Sequence, residues 1–350
     1  MMITGQAQKA ASSSATEKVA DKAVDEDLEQ AEADVQTILL AQALELSKAV
    51  AEVVDRSLGA RKAVPIRKSF VRSDIPGEDA PLKKLVTGGG GRGAAVPVML
   101  YVALIWKCAK EPFDVKLPAR KWAELLGLPD PSGKGARRIA NALQTLASLQ
   151  LIKLDKVHGE PSKVTLLDES GDGSKYELPS TAYSRGGLKR DLYFKVSTKL
   201  WTSGEFQQLS APGLAMLLIL LGEGGHNPTE SPLLKALRAF PQGRDVWFTT
   251  ENFPLRYGIS ASMRSRGTKE LETAHLLETK RRPVGPPGTL VTFTTEKVRK
   301  VYMLQGDAVV EDEEATAKRK KAFAKKTASK VGSFSTEGSK PRLTKQPKKK

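Results

Sequence analysis

Along this chain the alternation of apolar and polar positions states one pattern twice. In DVKLPARKWAELLGL (residues 114–128) a short alternating stretch runs into helical spacing with one large aromatic turned inward. At an offset of 131, DVWFTTENFPLRYGI (245–259) does the same. Asp114 matches Asp245, Val115 Val246, Leu117 Phe248, Trp122 Phe253, Gly127 Gly258 and Leu128 Ile259. Each copy predicts a short strand and then a helix that stops at Gly, the residue that enters a left-handed turn without a Cβ penalty. The second copy then lacks six residues, the length of PDPSGK (129–134), and the offset becomes 125. IANALQTLASLQLIKL (139–154) now matches RSRGTKELETAHLLET (264–279) through Leu146/Leu271, Leu151/Leu276 and Ile152/Leu277. A basic, turn-rich hairpin ends each copy, KVHGEPSKVTLL (156–167) and KRRPVGPPGTLVTF (280–293). An apolar helix opens each, around 98–108 and in LSAPGLAMLLILLGE (209–223), the latter with a Ser-Ala-Pro start signal.

Helix, strand, helix, turn, helix, hairpin is the order of a winged helix-turn-helix. The expected fold class is mainly α with small β-hairpins (α+β): two tandem winged helix-turn-helix domains, an N-terminal helical arm and a disordered basic C-terminal tail. Residues 1–27 are too poor in apolar side chains to offset ordering entropy and read as disordered. Residues 28–58 carry no Pro, and Val35, Leu39, Gln42, Leu46, Ala49 and Val53 follow a 4-3-4-3-4 spacing. Three readings fit it: a dimerising coiled coil, an arm packed on its own body, or a marginal lone helix. Residues 59–95, rich in Pro, Gly and basic side chains, read as a flexible linker whose glycine run lacks the Lys-Ser/Thr of a phosphate loop. Winged helix 1 is expected at 96–167, a connector at 168–192 and winged helix 2 at 193–304, entered by a strand in YFKVSTKLW (193–201). Residues 305–350 hold an acidic patch, EDEE at 311–314, and a Lys-rich tail.

Charge changes this picture in one respect. Residues 315–350 hold 13 Lys or Arg and a single Glu, a net +12, which leaves +4 of the chain's +16 to residues 1–314. Such a tail suits a polyanionic partner. The one cysteine, Cys108, excludes an intramolecular disulfide and reads as a small buried hydrophobe. No apolar run is long enough for a membrane span and no signal peptide opens the chain, so a cytoplasmic, nucleoid-associated protein is expected.

With Leu146 as the inward direction of its helix, Ile139, Ala142, Leu143 and Leu149 fall on the core side. The opposite face carries Arg137, Asn141, Gln144 and Ser148, and the offset of 125 places Ser262, Arg266, Lys269 and Thr273 on the same face of the second copy. Neither face has an acid. Arg and Lys suit guanine O6 and N7, Asn and Gln suit adenine N6 and N7, so Arg137, Asn141, Gln144, Ser262, Arg266 and Lys269 are the candidates for base readout. Ser260 is placed to cap the second of these helices. Candidates for backbone phosphates are Lys156, His158 and Lys163 in the first hairpin, Lys280, Arg281 and Arg282 in the second, and Lys318, Arg319, Lys320 and Lys321 in the tail. Arg185, Lys189 and Arg190 of the connector are further candidates.

Signals for catalysis are thin: three scattered Asp or Glu would suffice for an acidic nuclease centre, and nothing marks them. His158, His226 and His275 make no metal spacing, and no nucleophile elbow, phosphate loop or His-Glu-x-x-His occurs, so no enzyme, metal or cofactor is expected. On WTSGEFQQLSAPGLAMLLILL (201–221) and YGISASMRSRGTKEL (257–271) the chain resembles helix-turn-helix proteins of high-GC Gram-positive bacteria. Its two winged helices, over about residues 96–304, resemble the plasmid replication initiators. That resemblance implies binding to repeated origin sites, helicase recruitment and a dimer-to-monomer switch, although the N-terminal helix is placed differently here. The expected partner is double-stranded DNA, in plasmid replication or transcription control, with self-association through 28–58 and no small-molecule substrate. A nucleoid-type compactor and a tandem winged-helix scaffold are the alternatives.

Overall fold

A computed structural model describes residues 5–73, 75, 77–88, 93–186, 191–224, 246–283 and 298–310, with side chains from Gln30 onward and none for 282 and 283. Within these residues the protein is a mixed α+β fold with small antiparallel sheets. Helix α1 (Gly5–Ser57) is followed by strand β1 (Ala63–Arg67), a 3-10 turn at Lys68–Phe70 and α2 (Pro81–Gly88). Then come α3 (Ala95–Lys107), β2 (Asp114–Lys116), α4 (Ala119–Leu125), α5 (Lys134–Ser148), β3 (Ile152–Asp155) and β4 (Lys163–Leu166). Helix α6 (Pro179–Ser184), β5 (Tyr193–Ser197), α7 (Lys199–Thr202) and α8 (Glu205–Gln208) lead to the second half. That half is α9 (Ala211–Gly224), β6 (Val246–Trp247), α10 (Asn252–Tyr257), α11 (Ala261–Thr273), β7 (Leu277–Pro283) and β8 (Val298–Leu304).

The duplication read from the apolar pattern is visible in the architecture. Each half runs helix, strand, helix, helix, strand, strand, and its three strands lie in the order first, third, second: β2-β4-β3 and β6-β8-β7. Trp122 on α4 and Phe253 on α10 are each 1 % exposed. Gly127 and Gly258 stop those helices at φ +64° and +63°, and after the third helix Gln150 and His275 both stand at φ +56°. The returning strand of the second half, β8, lies beyond the 280–293 stretch expected to hold that hairpin.

Why the halves are joined follows from α3 and α9. Both are apolar on every side: Val96 and Val98–Trp106 are buried in α3, and Ala211 and Gly213–Gly222 in α9. A helix hydrophobic all round demands neighbours on all sides. Each packs on the third helix of its own half, α3 on α5 and α9 on α11, and they pack on each other. Residues 96–167 and 193–304, expected as separate units, therefore share one core within a unit that ends at Val309.

The stretch expected as a flexible linker is in large part structure. In it Val64, Ile66, Phe70, Leu82 and Leu85 are buried, enough apolar surface to outweigh the Pro and Gly around them. Strand β1 pairs antiparallel with β5, Ala63 opposite Ser197 through Arg67 opposite Tyr193. Buried positions recur identically in both: Val64, Ile66 and Arg67; Phe194, Val196 and Ser197. At that offset of 130, Pro65 lies opposite Lys195, its own counterpart, so the ribbon has a local twofold at its centre. The arm differs from expectation in where it begins. Its helical backbone starts at Gly5, upstream of residue 28, and its C-terminal third packs on α4 and α7 through Ser47, Ala51, Val54 and Leu58. Buried Ser47 donates to Leu125 O at 2.5 Å, satisfying a carbonyl at the end of α4, and accepts from Gln207 Nε2 at 2.9 Å.

Between the connector and β1 lies a buried ion pair. Arg67 and Glu169, 4 % and 0 % exposed, are in direct contact, with Asp168 3.5 Å from the same guanidinium. Burial pushes the Glu169 carboxyl up to about 7, with Arg67 acting against it. A carboxyl raised above its unfolded value holds its proton more tightly when folded. Its stabilisation is complete below pH about 4.5 and is lost as pH rises through about 7. Unfolding free energy of Glu169→Gln, which cannot titrate, should therefore gain on the wild type by on the order of 2 kcal/mol between pH 5 and 7.5. Urea titrations at both pH values measure it, and a constant difference would refute the raised carboxyl.

Candidate nucleic-acid interface

Two helices in equivalent positions present the residues picked out for base contacts. Helix α5 is started by Asp130, whose carboxylate accepts from Gly133 N at 3.1 Å and Lys134 N at 2.7 Å. The turn is tight enough that a Cβ on Gly135 would meet Asp130 O at 2.8 Å. Ile139, Ala142, Leu143 and Leu146 go inward. Arg137, Asn141 and Gln144 face solvent, alongside Lys134 and Arg138. Ser148, also outward, spends its hydroxyl on Thr145 O at 2.8 Å. Arg137 makes no ion pair among the described residues.

Helix α11 begins at Ser260, whose hydroxyl accepts from Met263 N at 3.2 Å, the expected cap. Ser262, Arg266 and Lys269 are exposed, and among the described residues neither cation is paired. The two acids of this helix are tied down elsewhere. Glu270 accepts from Ser210 N at 2.6 Å at the start of α9, and Glu272 accepts from Thr279 Oγ1 at 2.5 Å. Arg266, Lys269 and Thr273 border an open cleft of about 660 Å³ whose far wall is Glu205, Gln208 and Leu209. Burial and then Asp307 push the Glu205 carboxyl up. The N-terminal half of α11 is thus the freer part, with Lys269 facing α8.

What orients α11 was not apparent in the sequence. The Arg264 guanidinium lies 4.6 Å from the Phe253 ring centroid and 5.5 Å from those of Phe248 and Tyr302, and its Nη2 donates to Tyr302 OH at 2.7 Å. It locks the helix to α10 and β8. Only its setting among three rings distinguishes it from Arg266, two residues on.

In the first hairpin Lys156 and His158 are exposed at the tip, beside an exposed Val157. Lys163 differs from expectation: its ammonium is 2.7 Å from Asp114 on the adjoining β2, and that hydrogen bond raises its pKa. A phosphate would have to displace a carboxylate there. In the second sheet Lys280 lies 2.8 Å from Glu278, while Arg281 is exposed and unpaired among the described residues. The register sets Arg281 opposite Lys300 and Arg282 opposite Arg299. The like charges of Arg281 and Lys300, directly across the ladder, are destabilising unless an anion lies over them. Trp247, 49 % exposed, has the Arg299 guanidinium 4.8 Å above its ring. Arg185 contacts Glu177, and Lys189, Arg190, His226 and Asp245 lie outside the described residues, as do EDEE and the tail with Lys318, Arg319, Lys320 and Lys321.

Cys108 is buried, and burial pushes its thiol up to about 12, so it is unreactive. Among the described residues no group of three or more His, Cys, Asp or Glu is placed to hold a metal, and no helix is long and apolar enough to cross a membrane. No protein-family model, curated protein or solved structure matches the chain.

Proposed function

We propose that this chain is a non-enzymatic, double-stranded DNA-binding protein with sequence preference. It uses two tandem winged helices, with a basic tail that adds sequence-independent affinity. Plasmid replication initiation or transcription control in the nucleoid is the setting this chemistry suits. One observation carries the reading: in a repeated topology, the third helix of each half turns an exposed face without acids outward, Arg137, Asn141 and Gln144 in one and Ser262 and Arg266 in the other. Side chains of that kind at the N-terminal end of such a helix match base edges in the major groove. The hairpins, with Lys156, His158, Lys280, Arg281 and Arg282, then flank the groove and meet phosphates.

The site is found by selecting bound fragments from genomic DNA, and titrations on that duplex and a scrambled one give the test. Asn141→Ala and Arg266→Ala are each expected to weaken the specific complex by about 1–3 kcal/mol and relax preference at one or two base pairs. Equal losses on both duplexes would mean that these side chains do not read sequence.

A further inference from the structure

The arm has two faces and the body uses only one. Ser47, Ala51, Val54 and Leu58 are packed on α4 and α7, whereas Val35, Leu39, Gln42, Leu46, Ala49 and Val53, the residues of the 4-3-4-3-4 spacing, are all exposed. The large apolar members, Val35, Leu39, Leu46 and Val53, are 44–58 % exposed. From Gln30 to Gln42 every residue of the helix is exposed. A helix of this kind is marginal in water without a partner for its apolar stripe, and that stripe keeps the alternating four-three spacing of a two-helix seam over a little more than two heptads.

We propose that α1 is a self-association helix that pairs with α1 of a second copy of this chain, parallel and in register, along those six residues. Parallel pairing sets Gln42 against Gln42, amide to amide, whereas antiparallel pairing about the same centre leaves it against Leu46 with no hydrogen-bond partner. Antiparallel pairing also brings Glu45 opposite Glu45, a repulsion absent from the parallel arrangement. From Gln30 to Ser57 the helix is about 40 Å long at ~1.5 Å per residue, enough for two copies to bury on the order of the 1,200 Å² that a specific interface needs. The seam lies on the face turned away from α4 and α7, so pairing leaves the body's contacts in place.

Sedimentation equilibrium of the full chain without DNA tests this independently of the DNA-binding reading. The wild type should show the mass of two chains at micromolar concentration. Leu39→Glu with Leu46→Glu, two charges inside the seam, should weaken association at least about a hundredfold while the melting of the body is unchanged. Gln42→Cys should form a disulfide-linked dimer under mild oxidation, since the native Cys108 is buried and inert. A single-chain mass at about 100 µM, far above the dissociation constants of specific complexes, overturns the proposal. So does a double variant that still pairs. Absence of the Gln42→Cys cross-link overturns the parallel register. Should the two glutamates disturb the body, the cross-link decides alone.

Discussion

Gly267→Ala is expected to destabilise the protein by about 2–3 kcal/mol, and Gly267→Val by more. Inside a helix, Gly→Ala ordinarily stabilises by about 1 kcal/mol, so the sign of the result decides. Gly267 lies where α11 crosses α9. A Cβ there would stand 2.2 Å from Pro212 O and 2.7 Å from Met216 Cγ. The first of these is backbone at the start of a buried helix and has no room to yield. The position that matches it in the first half is Ala142, 2 % exposed. Ala142→Gly should lose only propensity and a methyl, about 1–2 kcal/mol. Urea titrations of the three variants measure all of this. A neutral or stabilising Gly267→Ala would show that the two helices are not in such close contact.

Truncation after Glu314 should have the largest effect on binding. Residues 315–350 carry a net +12, and each phosphate neutralised on B-form DNA adds ~0.9 to the slope of log affinity against log salt. With half of those charges engaged at once, removing the tail flattens the slope by roughly five. The loss should be similar on any duplex, so base preference survives at low salt. A salt series on selected and random duplexes, for the full chain and the truncated one, measures it. An unchanged slope would assign the tail to another partner. Loss of all preference on truncation would favour a compactor over a sequence reader.

Much of this architecture was legible because duplication repeats a constraint. Trp122 and Phe253 are both buried on the second helix of their halves, and Gly127 and Gly258 both take a left-handed turn, so the same side-chain requirements recur at a fixed offset. The outward faces of α5 and α11 followed from 100° per residue alone. What stayed hidden depends on distant partners. Arg67 and Glu169 are 102 residues apart, and nothing local distinguishes either from a solvated charge. Lys163 looked free until strand pairing brought it to Asp114. Residues 59–95 have linker composition because only a few apolar side chains, Ile66, Phe70 and Leu82 among them, hold the stretch down.

The ribbon in which Pro65 lies opposite Lys195 has a consequence for how specificity can change. In a symmetric homodimer one codon governs both half-sites, so a substitution alters the two together. Here the counterparts are separate codons of one gene. Arg137, Asn141 and Gln144 can drift without moving Ser262, Arg266 and Lys269, and they already differ. On the proposed reading, a single substitution on α5 should therefore shift preference at the bases that α5 meets and leave those met by α11 intact in each copy of the chain, a freedom that duplication inside one polypeptide provides.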